Sequence, residues 1–443
     1  MPKADKNTQA GFRRRSRAHH ASTPAALAAL ADEELIEAVQ RQTFRFFWEA
    51  SHPISGLAPD RCMTYSKQSD DLVAIGGSGF GAMALIVAAE RGWVTREEAV
   101  QRLTAMLELL GRATCYHGAY PHFMNGRTGA TIPFGRKDDG GDLVETSLLF
   151  MGLLCARQYF DRDNEAERLI RAHVTWLWED VEWNWYTQDG RKLLYWHWSP
   201  NNGWALDHEI HGWNECLITY VLAASAPRHG VDPLVYHRGY AAGRDFFNGK
   251  PYYGIELPLG QPYGGPLFFA HYSFCGLDPR GLKDRYADYW ELTRRHVQIN
   301  HAHCAANPHG HQGYGADCWG LTASDDPAGY AAHAPDHDNG TLSPTAALSS
   351  MPYAPEEVLR CTRHFLSRYG SKIWGRYGFV DAFCEAQDWY AETYLAIDQG
   401  PIVVMMENHR SGLLWNLFMR VPEIQQGLRR LGFSSPHLQG TAP

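Results

Sequence analysis

The sequence predicts an all-α fold, an (α/α) barrel of two concentric helix rings, on three observations. Apolar residues recur at helical spacing in roughly a dozen segments. No strand pattern alternates with them, which argues against a Rossmann or TIM arrangement. The stretches between them are long and crowded with Trp, Tyr, His, Gly and Asp, and loops of that length in a compact domain are commonly functional.

The first helix is expected over 33–49, where Leu35, Ile36, Val39, Phe44, Phe47 and Trp48 keep close to a helix period. Segments 79–91, 96–111, 142–160 and 165–179 follow, each bounded by Gly, Pro or Asp. Further helices are expected over 207–223, 233–247, 282–302, 355–369, 400–419 and 421–431. Loops of such a barrel gather at one end of the rings, so 181–204, 313–344 and 377–400 mark the end that carries the site. One domain over 32–433 then accounts for the chain, with tails at 1–31 and 434–443.

At 443 residues, 44% hydrophobic and 20% charged, the composition is that of an ordinary folded enzyme with a sizeable core. A formal net charge of −8 gives no electrostatic footprint for nucleic acid or an anionic membrane, and a neutral substrate fits better. The one basic cluster, Arg13 to Arg17, reads as a solvated chain end. The Ala-rich run that follows it meets Asp32-Glu33-Glu34 too soon for a secretory h-region, and no transmembrane span is visible. That favours a cytoplasmic protein, or a periplasmic one if an export signal has been removed. The nine cysteines are scattered, odd in number and without a C-x-x-C pair, and are expected to be reduced and mostly buried.

Four constellations carry chemistry. In Asp142-Leu143-Val144-Glu145, acids three apart lie on one helix face near its first turn, where they serve as a capping box, as substrate ligands, or as both. Glu215 stands in Trp213-Asn214-Glu215-Cys216-Leu217. Apolar neighbours there would raise its pKa to suit a general acid, the alternative being a glutamate on the polar face of the same helix. Asp398 precedes Gln399-Gly400-Pro401 and is either a helix cap or a base at the rim of a cleft. Gln387, Asp388, Trp389 and Tyr390 nearby are what a sugar site would use. Finally, Trp183, Trp185, Tyr186, Tyr195, Trp196, Trp198 and Trp204 crowd one segment. Aromatic faces suit the C–H face of a pyranose, although any single ring is more often core.

Other chemistries leave little trace. The tract His301, His303, Cys304, His309 and His311 and the run Asp336 to Asn339 match no closed zinc spacing, and no H-E-x-x-H occurs, so no metal site is expected. No P-loop or G-x-S-x-G elbow is present, and Gly76-Gly77-Ser78-Gly79 lacks the strand and ribose acid of a nucleotide site. No cofactor is expected.

Taken in order, the segments resemble the glycoamylase-like family, especially bacterial β-1,2-glucanases of glycoside hydrolase family 144. The resemblance is carried by Gln42 to Trp48, Gly56 to Arg61, Gly79-Phe80-Gly81, Ala88 to Trp93, His117-Gly118, His122-Phe123, Asp142 to Thr146, Trp213-Asn214-Glu215 and Ala396 to Pro401. It spans roughly residues 35–433. It implies an (α/α)6 toroid that hydrolyses β-1,2-glucan or its oligomers with inversion at the anomeric carbon. By the same resemblance Glu215 is the acid and Asp398 the base. Asp142, Glu145, Trp213, Asn214, Trp198, Trp389 and Gln399 bind the sugar. A glycosyl-transferring relative, a non-catalytic carbohydrate-binding toroid and a polysaccharide lyase are the alternatives. A lyase acts on anionic uronates, which the acidic, aromatic loops do not suit.

Overall fold

A helix buried on nearly every side has to be apolar or to satisfy its polar groups internally, and four helices of this chain are of that kind. A computed structural model describes residues 23–65 and 71–438. In it α3 (Ile75–Glu90), α5 (Leu143–Tyr159), α7 (Leu217–Ser225) and α12 (Ala396–Arg410) are buried along nearly their whole length. Around them lie helices that bury a single face: α2 (Asp32–Arg45), α4 (Arg96–Leu110), α6 (Glu165–Asp180), α10 (Pro355–His364) and α14 (Pro422–Arg430). The remaining helices are α1 (Pro24–Ala28), α8 (Tyr289–Ala306), α9 (Pro344–Leu348), α11 (Gly370–Ile373) and α13 (Leu413–Met419).

The buried helices touch one another directly. α3 packs on α5 and α12, α5 on α7 and α13, and the amphipathic helices α2, α6 and α14 cover α12, α5 and α7. The closest crossing is made of glycine. A Cβ added at Gly152 of α5 would overlap the carbonyl oxygen of Gly79 in α3, and one at Gly79 would overlap the backbone of Leu148. Burying these faces in one contiguous core supplies the main stabilising term, about 25 cal/mol per Å² of apolar surface.

Several expected boundaries shift for local reasons. α3 begins four residues earlier than expected and takes in Gly76 to Gly79. The segment 207–216 is not helical, because Asp207 and Gly212 adopt left-handed backbone at φ 47° and 76°. The expected helix over 233–247 shrinks to one π-helical turn, Val235–Tyr240, closed by the Ala241 N–H on the Tyr236 carbonyl; Asp245 at φ 60° keeps the chain from resuming it, and Phe247–Tyr252 pairs instead with Ile255–Leu259. The helix expected over 400–419 starts at Ala396, carries Pro401 within it, and is divided from α13 at Gly412, φ 69°.

The all-α expectation also needs one correction, since short antiparallel ladders decorate the loops. They include Arg61–Met63 against Thr393–Leu395, Ala323–Asp326 against Gly329–Ala332, and a three-stranded ladder of Leu72–Ala74, Phe123–Asn125 and Thr131–Ile132.

Both expected tails are shorter than drawn. Thr23 caps α1, Leu27 is buried, and Arg363 holds the Ala28 carbonyl. At the other end Ser434 exchanges backbone hydrogen bonds with Lys283, and His437 pairs with Asp278. The Arg13 to Arg17 cluster and residues 439–443 lie outside the described residues. None of the nine cysteines forms a disulfide among the described residues; eight are buried and Cys115 is exposed. Among the described residues no helix is long and apolar enough to cross a membrane.

Candidate active site

Helices α3, α5 and α12 start at the same place, around a chamber of about 440 Å³. Gly77 of α3, Glu145 of α5 and Ile397 of α12 line it, and α7 begins two residues after Glu215. The positive ends of the helix dipoles therefore converge where the carboxylates are concentrated. The walls are Phe134, Phe268, Tyr272 and Tyr330, with His122, Asp60 and Arg61 among the polar groups. Arg61 also lines an outer groove of about 890 Å³ that contains Trp374, Trp389 and Tyr390. Phe134 also lines a hollow of about 590 Å³ on its other side.

Asp142 is fully buried and every bond it makes is internal. Its Oδ1 accepts from the N–H groups of Val144 and Glu145 at 3.0 and 2.9 Å, which caps α5. Its Oδ2 meets His122 Nδ1 at 3.2 Å and accepts from Trp196 Nε1 at 3.1 Å. The cap is thus real, and the residue reaches the chamber only through His122. Burial works against a charge on His122, but the carboxylates of Glu145 and Asp142 outweigh it and lift its pKa to about 9.

Glu145 does not complete a capping box. Its carboxylate turns into the chamber and accepts a 2.6 Å hydrogen bond from Gly76 N–H. Burial raises its pKa to about 7; His122 opposes the shift and Asp142 reinforces it.

Glu215 is 8% exposed, so its polar-face alternative fails. Burial pushes its pKa up to about 7 against its own backbone N–H, and the charges of Asp142 and Glu145 add to the shift. Ser273 Oγ anchors the turn by donating to the Glu215 carbonyl while accepting from Ile218 N–H at 3.0 Å. A carboxylic acid that keeps its proton near neutrality is what general acid catalysis needs.

Asp398 lies in the first turn of α12 and does not cap it; that position belongs to Leu395. It is 3% exposed, and its Oδ2 is without a hydrogen-bond donor among the described residues. Burial first, and the neighbouring Asp381 second, hold its pKa well above the ordinary carboxylate range. Tyr272, on the chamber wall, is within electrostatic reach of both Asp398 and Glu215.

Other expected sugar ligands fall elsewhere. Trp213 is a core residue, 3% exposed and packed against Phe274 and Tyr289. Gln399 is buried with its Nε2 on the Phe379 carbonyl at 2.8 Å. Both point inward because they sit on the packed side of a segment whose other side carries the acid. The Asn214 side chain closes its own turn, with Oδ1 accepting from Cys216 N–H at 3.0 Å. Trp198 packs edge-on to His117 and Trp185 behind the chamber. Trp389 lines the outer groove.

The sequence reading missed Asp381, Asp325, Arg61, Tyr272, Tyr330 and Phe134. Asp381 did leave a signal, as an isolated acid inside the apolar run Phe379-Val380-Asp381-Ala382-Phe383, where a charge is costly unless it is used. The aromatic residues left none, being spread over 134–330 with no common pattern.

The fold and site define a helix-rich protein with buried acids gathered near the N-termini of packed helices, and comparison with known proteins narrows the class. The Glycoamylase family model matches residues 207–422. An exo β-1,2-glucooligosaccharide sophorohydrolase (non-reducing end) of Parabacteroides distasonis is 44% identical over 423 residues, 91% of this chain. The chain spans 58% of that relative's length. Among solved structures, the endo-β-1,2-glucanase of Chitinophaga pinensis, in complex with sophorotriose and glucose, is 51% identical with a TM-score of 0.90. That match covers 93% of this chain and 100% of the other. A β-1,2-glucanase structure from Parabacteroides distasonis is 44% identical, with a TM-score of 0.88 over 91% of this chain and 60% of the other. The chain belongs to the glycoamylase-like family.

Proposed function

We propose that this protein is a glycoside hydrolase that cleaves β-1,2-glucan or β-1,2-gluco-oligosaccharides with inversion, on an (α/α)6 barrel whose inner ring includes α3, α5, α7 and α12. The observation that carries the reading is a buried acid within electrostatic reach of Glu145 and Tyr272, two residues that line an aromatic-walled chamber. Glu215 is a buried acid with its pKa raised to about 7, and the aromatic walls Phe134, Tyr272 and Tyr330 suit a neutral pyranose. The names of the relatives point to the same linkage.

In this reading Glu215 protonates the glycosidic oxygen while the carboxylate side of the chamber, at Asp398, takes a proton from the attacking water. Glu145 and Asp60 bind sugar hydroxyls, and Asp142 positions His122 and the start of α5. The hollows that adjoin the chamber at Arg61 and at Phe134 leave room for sugar on both sides of the scissile bond. That favours cleavage within a chain over release from its end. Trp389 and Tyr390 then serve an outer sugar unit.

A panel of β-1,2-, β-1,3-, β-1,4- and α-glucans, with products followed by chromatography and anomeric NMR, tests the proposal. Release of α-configured ends from β-1,2-glucan alone is expected, and Glu215→Gln should abolish it while keeping the fold. Binding without product after long incubation would leave a carbohydrate-binding toroid. First products of β configuration would overturn inversion.

A further inference from the structure

Asp381 and Asp398 are the most deeply placed acids on this side of the chamber, each 3% exposed. One oxygen of Asp381, Oδ2, accepts from Asp325 N–H at 2.6 Å. The other, Oδ1, and the Asp398 Oδ2 have no donor among the described residues, and the two side chains lie within hydrogen-bonding reach of each other. Ionised carboxylates are acceptors only. Two of them in contact, out of water, cannot both stay charged.

The surroundings do not neutralise the pair. Asp325 faces it from the 323–332 hairpin, Asp60 from the loop before Arg61–Met63, and the hydroxyls of Tyr272 and Tyr330 from the chamber walls. Arg61 faces the pair but is held on Asp325 at 3.1 Å and Asp60 at 3.1 Å, and His122, which lines the same chamber, is engaged by Asp142 and Glu145. Thr393 donates to the second oxygen of Asp325, fixing that carboxylate in turn.

We infer that Asp381 and Asp398 share a single proton, and that this mono-anionic pair, and not Asp398 alone, is the base of the reaction. The inference rests on the hydrolase reading above. Water gives its proton to the pair as its oxygen attacks the anomeric carbon, the glycosidic bond breaks, and the leaving oxygen takes the proton of Glu215. The pair then releases its extra proton to solvent and Glu215 regains one, which restores the starting state. Asp398 follows Ile397, which lines the chamber, whereas Asp381 has no sequence neighbour there and is held on the Asp325 N–H, so Asp381 is the positioning residue of the pair.

Infrared titration of the protonated carboxyl band tests this without turnover. Wild-type protein should keep a protonated carboxyl above about pH 8, after Glu145 and Glu215 have ionised. Asp381→Asn and Asp398→Asn should each remove that alkaline band. Asp381→Asn should also lower kcat by about 10²-fold with KM within about twofold, whereas a merely structural role would leave the infrared band in place. A wild-type band lost by about pH 8, with glucan hydrolysis intact, would overturn the shared proton. Wild-type protein that hydrolyses no glucan would instead overturn the hydrolase reading, while the band would still report on the pair.

Discussion

The Glu145 carboxylate hangs from the backbone N–H of Gly76 at 2.6 Å, tying the first turn of α5 to the first turn of α3 at the chamber wall. A Cβ at residue 76 would sit 2.8 Å from Glu145 Oε2 and 3.0 Å from Leu148 Cδ1. Both neighbours are ends of flexible side chains, so the fold has room to yield, but the carboxylate has to move. Gly76→Ala should therefore cost under about 1.5 kcal/mol of stability while lowering kcat/KM on β-1,2-glucan about tenfold. Thermal unfolding and steady-state kinetics on the same sample separate the two effects. A large drop in stability with unchanged kcat/KM per folded molecule would remove Glu145 from the site.

Glu215 costs stability because it is held for chemistry. Burial raises its folded-state pKa to about 7, so the folded protein binds this proton more tightly than the unfolded chain does. The stability difference is absent below the unfolded glutamate range, grows as pH rises through it, and levels off above about 7. Glu215→Gln, uncharged throughout, should be more stable than wild type by about 1–3 kcal/mol at about pH 8, with the advantage gone near about pH 4. Denaturant midpoints at the two pH values check this. Equal midpoints at the alkaline value would mean that water or an unrecognised donor already solvates the carboxylate.

The same acid should set the alkaline side of the activity profile. Glu215 works only when protonated, so kcat/KM should decline above about 7. Part of the elevation comes from the charge of Glu145, so Glu145→Gln should bring the decline to lower pH by up to about one unit, whatever it does to the maximum rate. A decline that stays in place would show that another group sets it.

Much of the fold was legible because burial is written into single segments. Leu217 to Ser225 and Leu148 to Ala156 are apolar on nearly every side, which marks them as buried helices before any contact is known. Breaks were less legible. Asp207 and Asp245 are compatible with a helix in one dimension, and only tertiary packing places them at positive φ. In the site, Glu215, Asp398 and Glu145 could be singled out as acids beside apolar runs. Their neighbours in sequence were poor guides to their neighbours in space. Trp213 and Gln399 point away from the chamber, while Phe134, Tyr272 and Tyr330 reach it from distant loops.

That distinction can be measured on the aromatic residues themselves. Tyr330 and Phe134 line the chamber yet are 55% and 57% exposed, so their rings contribute little to the core and are available to a pyranose face. Tyr330→Ala and Phe134→Ala should each raise KM about 5- to 10-fold, the equivalent of about 1 kcal/mol of stacking, with melting temperature nearly unchanged. Tyr330→Phe, which keeps the ring, should retain most of the affinity. Trp213→Ala should behave in the opposite way. It empties a site packed against Phe274 and Tyr289, which costs about 3–5 kcal/mol of stability, while the folded fraction keeps a KM near that of wild type. A raised KM for Trp213→Ala at full stability, with Tyr330→Ala silent, would move the sugar from the chamber to the other side of the Glu215 turn.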